Sequence, residues 1–265
     1  MLSGPAPPPA RFGAILEASP VTPGEGAPLG RSREGRAVRG FRLGSGPTAV
    51  SLLGGCHADE PVGPRFLRRL VGYLSGLPAD DPWLERHEWW IVPHINPDGE
   101  LRNAPWADEG AAAYELGRYL RNVVREPPGD DIEFGFPRDS SDEGARPENR
   151  AVYAWWRGAD RPFVLHASLH GMGFAAGPWF LLEPAWRGRL EGLKRRCAGR
   201  VEALGYILHD VEREGEKGFV RLGRGFTTRP DSRAMRAHFE GLGDPETARL
   251  FRPSSMETVR RLADD

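Results

Sequence analysis

His57 and Glu60 stand three residues apart in the segment Gly54-Gly-Cys-His57-Ala-Asp-Glu60-Pro61. A loop entered through two glycines can bend tightly enough to turn both side chains toward one point. Neutral imidazole with a carboxylate is a donor pair suited to zinc. A third donor must come from elsewhere, and the candidate is His170, which closes the apolar run 163–169 and is followed by a glycine that leaves room for an ion. His166 lies four residues earlier, on the same side of an extended segment, and competes for the role; the strand-end position favours His170. Two histidines and one carboxylate leave the fourth position of a tetrahedral zinc open, which is the arrangement of a catalytic centre.

Such donors need a rigid frame, and the chain alternates strand and helix signals. Residues 48–53 form a short apolar run closed by Gly54-Gly55, as a buried strand of an α/β sheet should look. Segment 61–77 carries Val62, Phe66, Leu67, Leu70, Val71 and Leu74 at helical spacing. Residues 88–93 read as a second strand, followed by a turn at Asn96-Pro-Asp-Gly99. Repeated Gly and alternating charge over 20–46 read as a hairpin or edge strands. Helices are expected at 108–120, 148–156 and 186–204, and strands at 162–170, 179–182 and 254–258. The polar, Pro/Gly-rich stretch 123–146 is long enough to suggest a functional loop. The expected class is α/β, with a mixed, largely parallel central sheet and helices on both faces. Ligands in such folds gather at the carboxyl ends of the strands, where His57, Glu60 and His170 all fall.

Composition narrows the partners. The 36 Lys and Arg balance 37 Asp and Glu, a net charge of −1, which removes the basic footprint of a generic nucleic-acid binder. Cys56 and Cys197 cannot build a disulfide framework. No run of about 18 apolar residues occurs, and residues 1–10 have neither a basic start nor an apolar core. The expectation is a cytoplasmic protein with no membrane partner. At 265 residues the chain can bury roughly three quarters of its unfolded surface. It is read as an unstructured Pro-rich segment over 1–10 and a single domain over 11–265.

The ordered motifs resemble the zinc metallocarboxypeptidases of the carboxypeptidase A type and their bacterial amidase relatives. His-x-x-Glu after the first core strand matches His57 and Glu60, Asn-Pro-Asp-Gly matches 96–99, and Pro147-Glu148, Ser168-Leu-His170-Gly and Ser255-Met-Glu257-Thr keep the family's order. The resemblance covers about residues 45–260 and implies a divergent bacterial member. It implies that His57, Glu60 and His170 hold one zinc per chain and that Glu257, on a strand near the C-terminus, is the general base. It further implies that Arg102 stabilises the oxyanion and that Asp131 orients His57.

One motif departs. The family's Asp-x-Asn-Arg is here Asp131-Ile-Glu133-Phe134, so the pair that would hold a substrate's free carboxylate is replaced by an acid and an aromatic ring. Glu133 and Phe134 are therefore read as substrate-binding residues of a pocket that favours a neutral or cationic group beside the scissile amide. No Tyr occurs between Ile207 and Asp265 to match the family's substrate-capping tyrosine; Phe219 and Phe226 fall in that segment. The reading is a zinc-dependent hydrolase cleaving an amide bond in a small peptide or acylated amino compound. Its rivals are an N-acyl amino acid deacylase and a non-catalytic metal- or ligand-binding member of the same fold.

Overall fold

The structure is a computed structural model that describes residues 9–107, 115–173 and 175–264. Its frame is a five-stranded sheet in the order β1-β2-β4-β3-β5, built from β1 (Ala27–Arg31), β2 (Ala37–Leu43), β3 (Thr48–Gly54), β4 (His87–Val92) and β5 (Phe163–Leu169). Strands β4, β3 and β5 run parallel, whereas β2 pairs antiparallel with β1 and β4. A second sheet joins β6 (Phe180–Leu182), β7 (Arg221–Gly223) and β8 (Phe226–Thr228) in the order β6-β8-β7. The helices are α1 (Pro9–Glu17), α2 (Val62–Ser75), α3 (Pro82–Arg86), α4 (Pro97–Asn103), α5 (Leu116–Asn122), α6 (Pro147–Arg157), α7 (Glu191–Ala203), α8 (Ser232–Gly241), α9 (Pro245–Leu250) and α10 (Ser255–Asp264).

Alternation along β3 explains the layers. Val50 and Leu52 point to one face, where Ile15 of α1 and Leu67, Leu70, Val71 and Leu74 of α2 cover them. Leu53 belongs to the opposite core, with Val152 and Trp156 of α6 and Val259 of α10. Successive side chains of a strand alternate between faces, so a nearly all-apolar β3 requires helices on both sides. Trp156 is buried and stacks on Phe136 at 5.3 Å between ring centroids, which ties the long loop to that core. No helix among the described residues is long and apolar enough to cross a membrane.

Several expectations need correction. Residues 254–258 are not a strand: they begin α10. Ser254 and Glu257 form a reciprocal cap, with Ser254 Oγ accepting the Glu257 N–H at 3.3 Å and Glu257 Oε2 accepting the Ser254 N–H at 2.9 Å. This Ser-x-x-Glu pairing satisfies two otherwise orphaned donors and specifies a helix start. Asn96-Pro-Asp-Gly99 is likewise a helix start rather than a free turn, because Asn96 Oδ1 accepts from Gly99 N at 3.0 Å and Pro97 takes the first position of α4. The Arg-rich helix begins at Glu191, after a 3₁₀ turn at Pro184–Trp186. Of the helix expected over 108–120, residues 108–114 lie outside the described residues and α5 occupies the rest. The segment read as unstructured, 1–10, falls outside them up to residue 8; α1 begins at Pro9.

Candidate metal centre

Four features bring the donors together. Past the end of β3, Gly55 takes φ +75°, and a Cβ there would lie 2.3 Å from the His94 ring, so the chain turns where only glycine fits. The Glu60 N–H then donates to the His57 carbonyl at 3.2 Å, closing a turn that sets the two side chains on one side. His170 arrives from the neighbouring parallel strand, because β5 pairs Leu169 with Gly54. Gly171 N donates to Glu60 Oε2 at 3.1 Å and locks the second loop onto the first.

His57 Nδ1 lies 2.9 Å from Glu60 Oε1, His170 Nδ1 lies 2.8 Å from Glu60 Oε2, and the two Nδ1 atoms are 3.2 Å apart. Two donors held about 2.0–2.1 Å from a tetrahedral zinc are roughly 3.3 Å from each other. The trio therefore fits zinc in donor chemistry and in spacing. His57 and Glu60 are largely enclosed, while the His170 side chain remains 34% exposed, which marks the open side of the centre. Behind each imidazole stands a carboxylate: Asp131 Oδ1 is 3.6 Å from His57 Nε2 and Glu133 Oε2 is 3.5 Å from His170 Nε2.

Electrostatics follows from this acid surround. Burial alone would lower the His57 pKa, but the carboxylates of Asp131 and Glu60 beside the ring outweigh it and raise the value to about 10. At His170 burial is opposed in the same way by Glu133 and Glu60, and the value reaches about 9. For Glu60 burial pushes the carboxyl up, yet His170 and His57 hold it well below the usual carboxylate range. The same balance, with His170 foremost, brings Glu133 down to about 2. A site that draws protons onto two facing imidazoles is one that a divalent cation can occupy in their place.

The remaining expected residues sort differently. His166 does not join the trio; it is buried against Ser51 Oγ at 3.0 Å and the edge of Trp156. Phe134 is a core residue packed on Phe251, and Glu133 is 9% exposed, so neither lines an open recognition pocket. Arg102 is not at the trio: it pairs with Glu34 on the outer side of α4. The Glu257 carboxylate is held by other groups. Beyond its cap on Ser254, its carboxylate accepts from Ser232 N at 3.0 Å and Ser232 Oγ at 2.7 Å, and it borders a cleft with Glu183, Arg229 and Arg260.

The arginine beside the trio is Arg125, which sequence reasoning missed. Its Nη1 donates to Asp59 at 3.0 Å and to Glu60 Oε1 at 3.1 Å. Two buried asparagines place it. Asn103 bonds both backbone groups of Val124, and Asn96 Nδ2 donates to Glu126 Oε1 at 2.6 Å. These contacts span 20 to 30 residues of sequence, and no local pattern announces them.

The chain is similar to known proteins in sequence and in fold. A family model described as zinc carboxypeptidase matches residues 26–179. Carboxypeptidase Z of Gallus gallus is 29% identical over 180 residues, covering 54% of this chain and 26% of its own. The inactive metallocarboxypeptidase ecm14 of Talaromyces marneffei is 32% identical over 84 residues, 27% of this chain and 14% of that protein. Bovine thrombin-activatable fibrinolysis inhibitor, solved in complex with tick carboxypeptidase inhibitor, is similar in fold with a TM-score of 0.50 at 14% identity, over 91% of this chain and 90% of that one. The chain spans about a quarter or less of the length of the first curated relatives it matches. Residues 26–179 include the trio, Arg125, Asp131 and Glu133; the second sheet and α7 to α10 lie beyond them.

Proposed function

The chain belongs to the zinc carboxypeptidase family, and from that premise we propose that it is a zinc-dependent hydrolase that cleaves an amide bond in a small peptide or acylated amino compound. The observation that carries this reading is the convergence of His57, Glu60 and His170, whose donor atoms all lie within 4.8 Å of one another. A zinc ion held there supplies Lewis acidity and makes water nucleophilic near neutral pH. His57 and His170 would each give Nδ1, and Glu60 its carboxylate. Asp131 keeps the His57 ring oriented from its Nε2 side. Arg125 replaces Arg102 as the cation for a developing oxyanion: it is anchored through Nη1 beside Glu60, and the rest of its guanidinium is half-exposed toward solvent. Substrates with a free carboxylate beside the scissile bond are disfavoured, because the carboxylates of Asp59, Glu60 and Asp131 lie around the centre. A cytoplasmic location belongs to the same proposal, resting on the free thiols of Cys56 and Cys197.

The location of Glu257 favours a second reading, a non-catalytic metal- or ligand-binding member of the fold. The residue expected to move the proton is committed to the cap of α10. Release of amine from a panel of N-acyl and peptide substrates by the zinc-loaded protein tests the choice. Turnover that disappears on chelation and returns with zinc supports the hydrolase; zinc binding with no turnover across the panel supports the second reading.

A further inference from the structure

The residue that breaks the Asp-x-Asn-Arg motif stands behind the third metal donor. Glu133 is 9% exposed, and its Oε2 sits 3.5 Å from His170 Nε2. That nitrogen is on the opposite side of the ring from Nδ1, which faces Glu60 and His57. A cation held by Nδ1 therefore has the whole imidazole between itself and Glu133. This geometry rules out Glu133 as a donor to that cation or as a base acting on its open side, and burial rules out contact with a substrate's flank.

Other groups fix the carboxylate in turn. Ser255, the first residue of α10 and itself fully buried, donates from Oγ to Glu133 Oε1 at 3.1 Å. Ser168 Oγ donates to Oε2 at 3.3 Å and lies 3.0 Å from His170 Nε2. Glu133 N donates to Asp131 Oδ1 at 2.7 Å, so one short loop carries the carboxylates behind both imidazoles.

We propose that Glu133 is a positioning residue for the metal centre: its carboxylate stands behind His170 Nε2 and, through Ser168 Oγ, which accepts the Nε2–H and donates to Oε2, fixes the tautomer that presents Nδ1 to the cation, and it is braced by Ser255. The chain would thus orient both histidine ligands by carboxylates, Asp131 behind His57 and Glu133 behind His170. It would also couple α10, which lies outside residues 26–179, to the centre. The inference rests on the trio being a zinc site. Outer partners of this kind typically change metal affinity 10- to 100-fold.

The test is zinc affinity by chelator competition on the full chain, with the visible absorption of the cobalt-substituted protein as a second readout. Glu133→Ala should weaken zinc about 10- to 100-fold and shift the cobalt bands. Glu133→Gln, whose amide oxygen still accepts from Ser168 Oγ behind the ring, should recover most of the affinity. Ser255→Ala should give a smaller loss of the same kind, and it supplies the measurement if Glu133→Ala fails to fold. Zinc affinity within twofold of wild type and unshifted cobalt bands in folded Glu133→Ala, or in Ser255→Ala if that variant alone folds, would overturn the inference. Wild type and His57→Ala separate this failure from failure of the zinc reading. If wild type binds zinc and His57→Ala does not, the reading stands and only the role of Glu133 falls; if wild type binds none, both fall.

Discussion

Asn103 is buried against the backbone of Val124, donating from Nδ2 to its carbonyl at 2.9 Å and accepting its N–H on Oδ1 at 3.0 Å. The same side chain accepts from Trp106 Nε1 and donates to the Gly99 carbonyl. One amide thus fastens α4 to the long loop a single residue before Arg125. Asn103→Ala removes four hydrogen bonds and strands buried partners, which should cost roughly 2–4 kcal/mol. It should also lower kcat/KM through misplacement of Arg125, with little change in zinc affinity. Urea unfolding and zinc competition on the same variant check both halves.

Arg125 itself gives a sharper readout. Loss of one preorganised oxyanion donor commonly costs about 10²- to 10³-fold in kcat. Arg125→Gln should fall in that range while retaining zinc, and Arg102→Gln should stay close to wild type, since Arg102 pairs with Glu34 away from the trio. The reverse ranking of the two variants would return the role to Arg102.

For Glu257 the structure and the family resemblance make opposite forecasts. Gln can serve in place of Glu in the reciprocal cap, so Glu257→Gln should change stability by less than about 1 kcal/mol and leave activity within a few-fold. A folded, zinc-loaded Glu257→Gln protein that has lost activity by about 10²-fold or more would identify Glu257 as the base after all.

Both ligand histidines titrate above their ordinary pKa of about 6.5, at about 10 for His57 and about 9 for His170. Contacts of the charged rings with Glu60, Asp131 and Glu133 therefore stabilise the metal-free protein fully below about pH 6.5. That contribution is lost as pH rises through the folded values. Zinc requires neutral rings, so its apparent affinity moves the other way and rises with pH. Thermal unfolding of chelator-treated protein across this range should show a falling melting temperature. Calorimetric zinc titration in two buffers of unequal ionisation enthalpy should detect proton release near pH 7.5; zinc uptake without released protons would contradict the assigned charge states.

Away from the centre, Glu148 is fully buried and pairs with Arg146 Nη2 at 2.9 Å, while also accepting from the Arg33 N–H at 3.2 Å. Removing one partner of such a pair leaves an uncompensated charge. Glu148→Ala should destabilise by about 3–5 kcal/mol, measured by chemical unfolding.

The parts that could be read from sequence were those whose signal is local. The apolar run of β3, the helical spacing of α2 and the His-x-x-Glu turn each need only a few neighbouring residues, and His170 followed from its place at the end of a strand. Residues 254–258 were read as a strand although Ser254-Ser-Met-Glu257 spells a helix cap, because five residues carry too little periodicity to separate a strand from a helix start. Asn96 was misread for a similar reason: a turn and a helix start use the same residues. Strand β6 falls within the strand expected over 179–182, whereas β7 and β8 are three residues each, too short for alternation to register. Arg125 and the setting of Glu133 depend on Asn103, Ser255 and His170, partners 22 to 122 residues away, and such contacts exist only once the chain has packed.

The central claim is that His57, Glu60 and His170 share one zinc ion. Metal analysis of chelator-stripped, zinc-reconstituted protein tests it directly. One zinc per chain in wild type, lost in His57→Ala and in His170→Ala but retained in His166→Ala, is the predicted result. A wild-type protein that takes up no zinc, or one whose zinc survives both ligand substitutions, would contradict it.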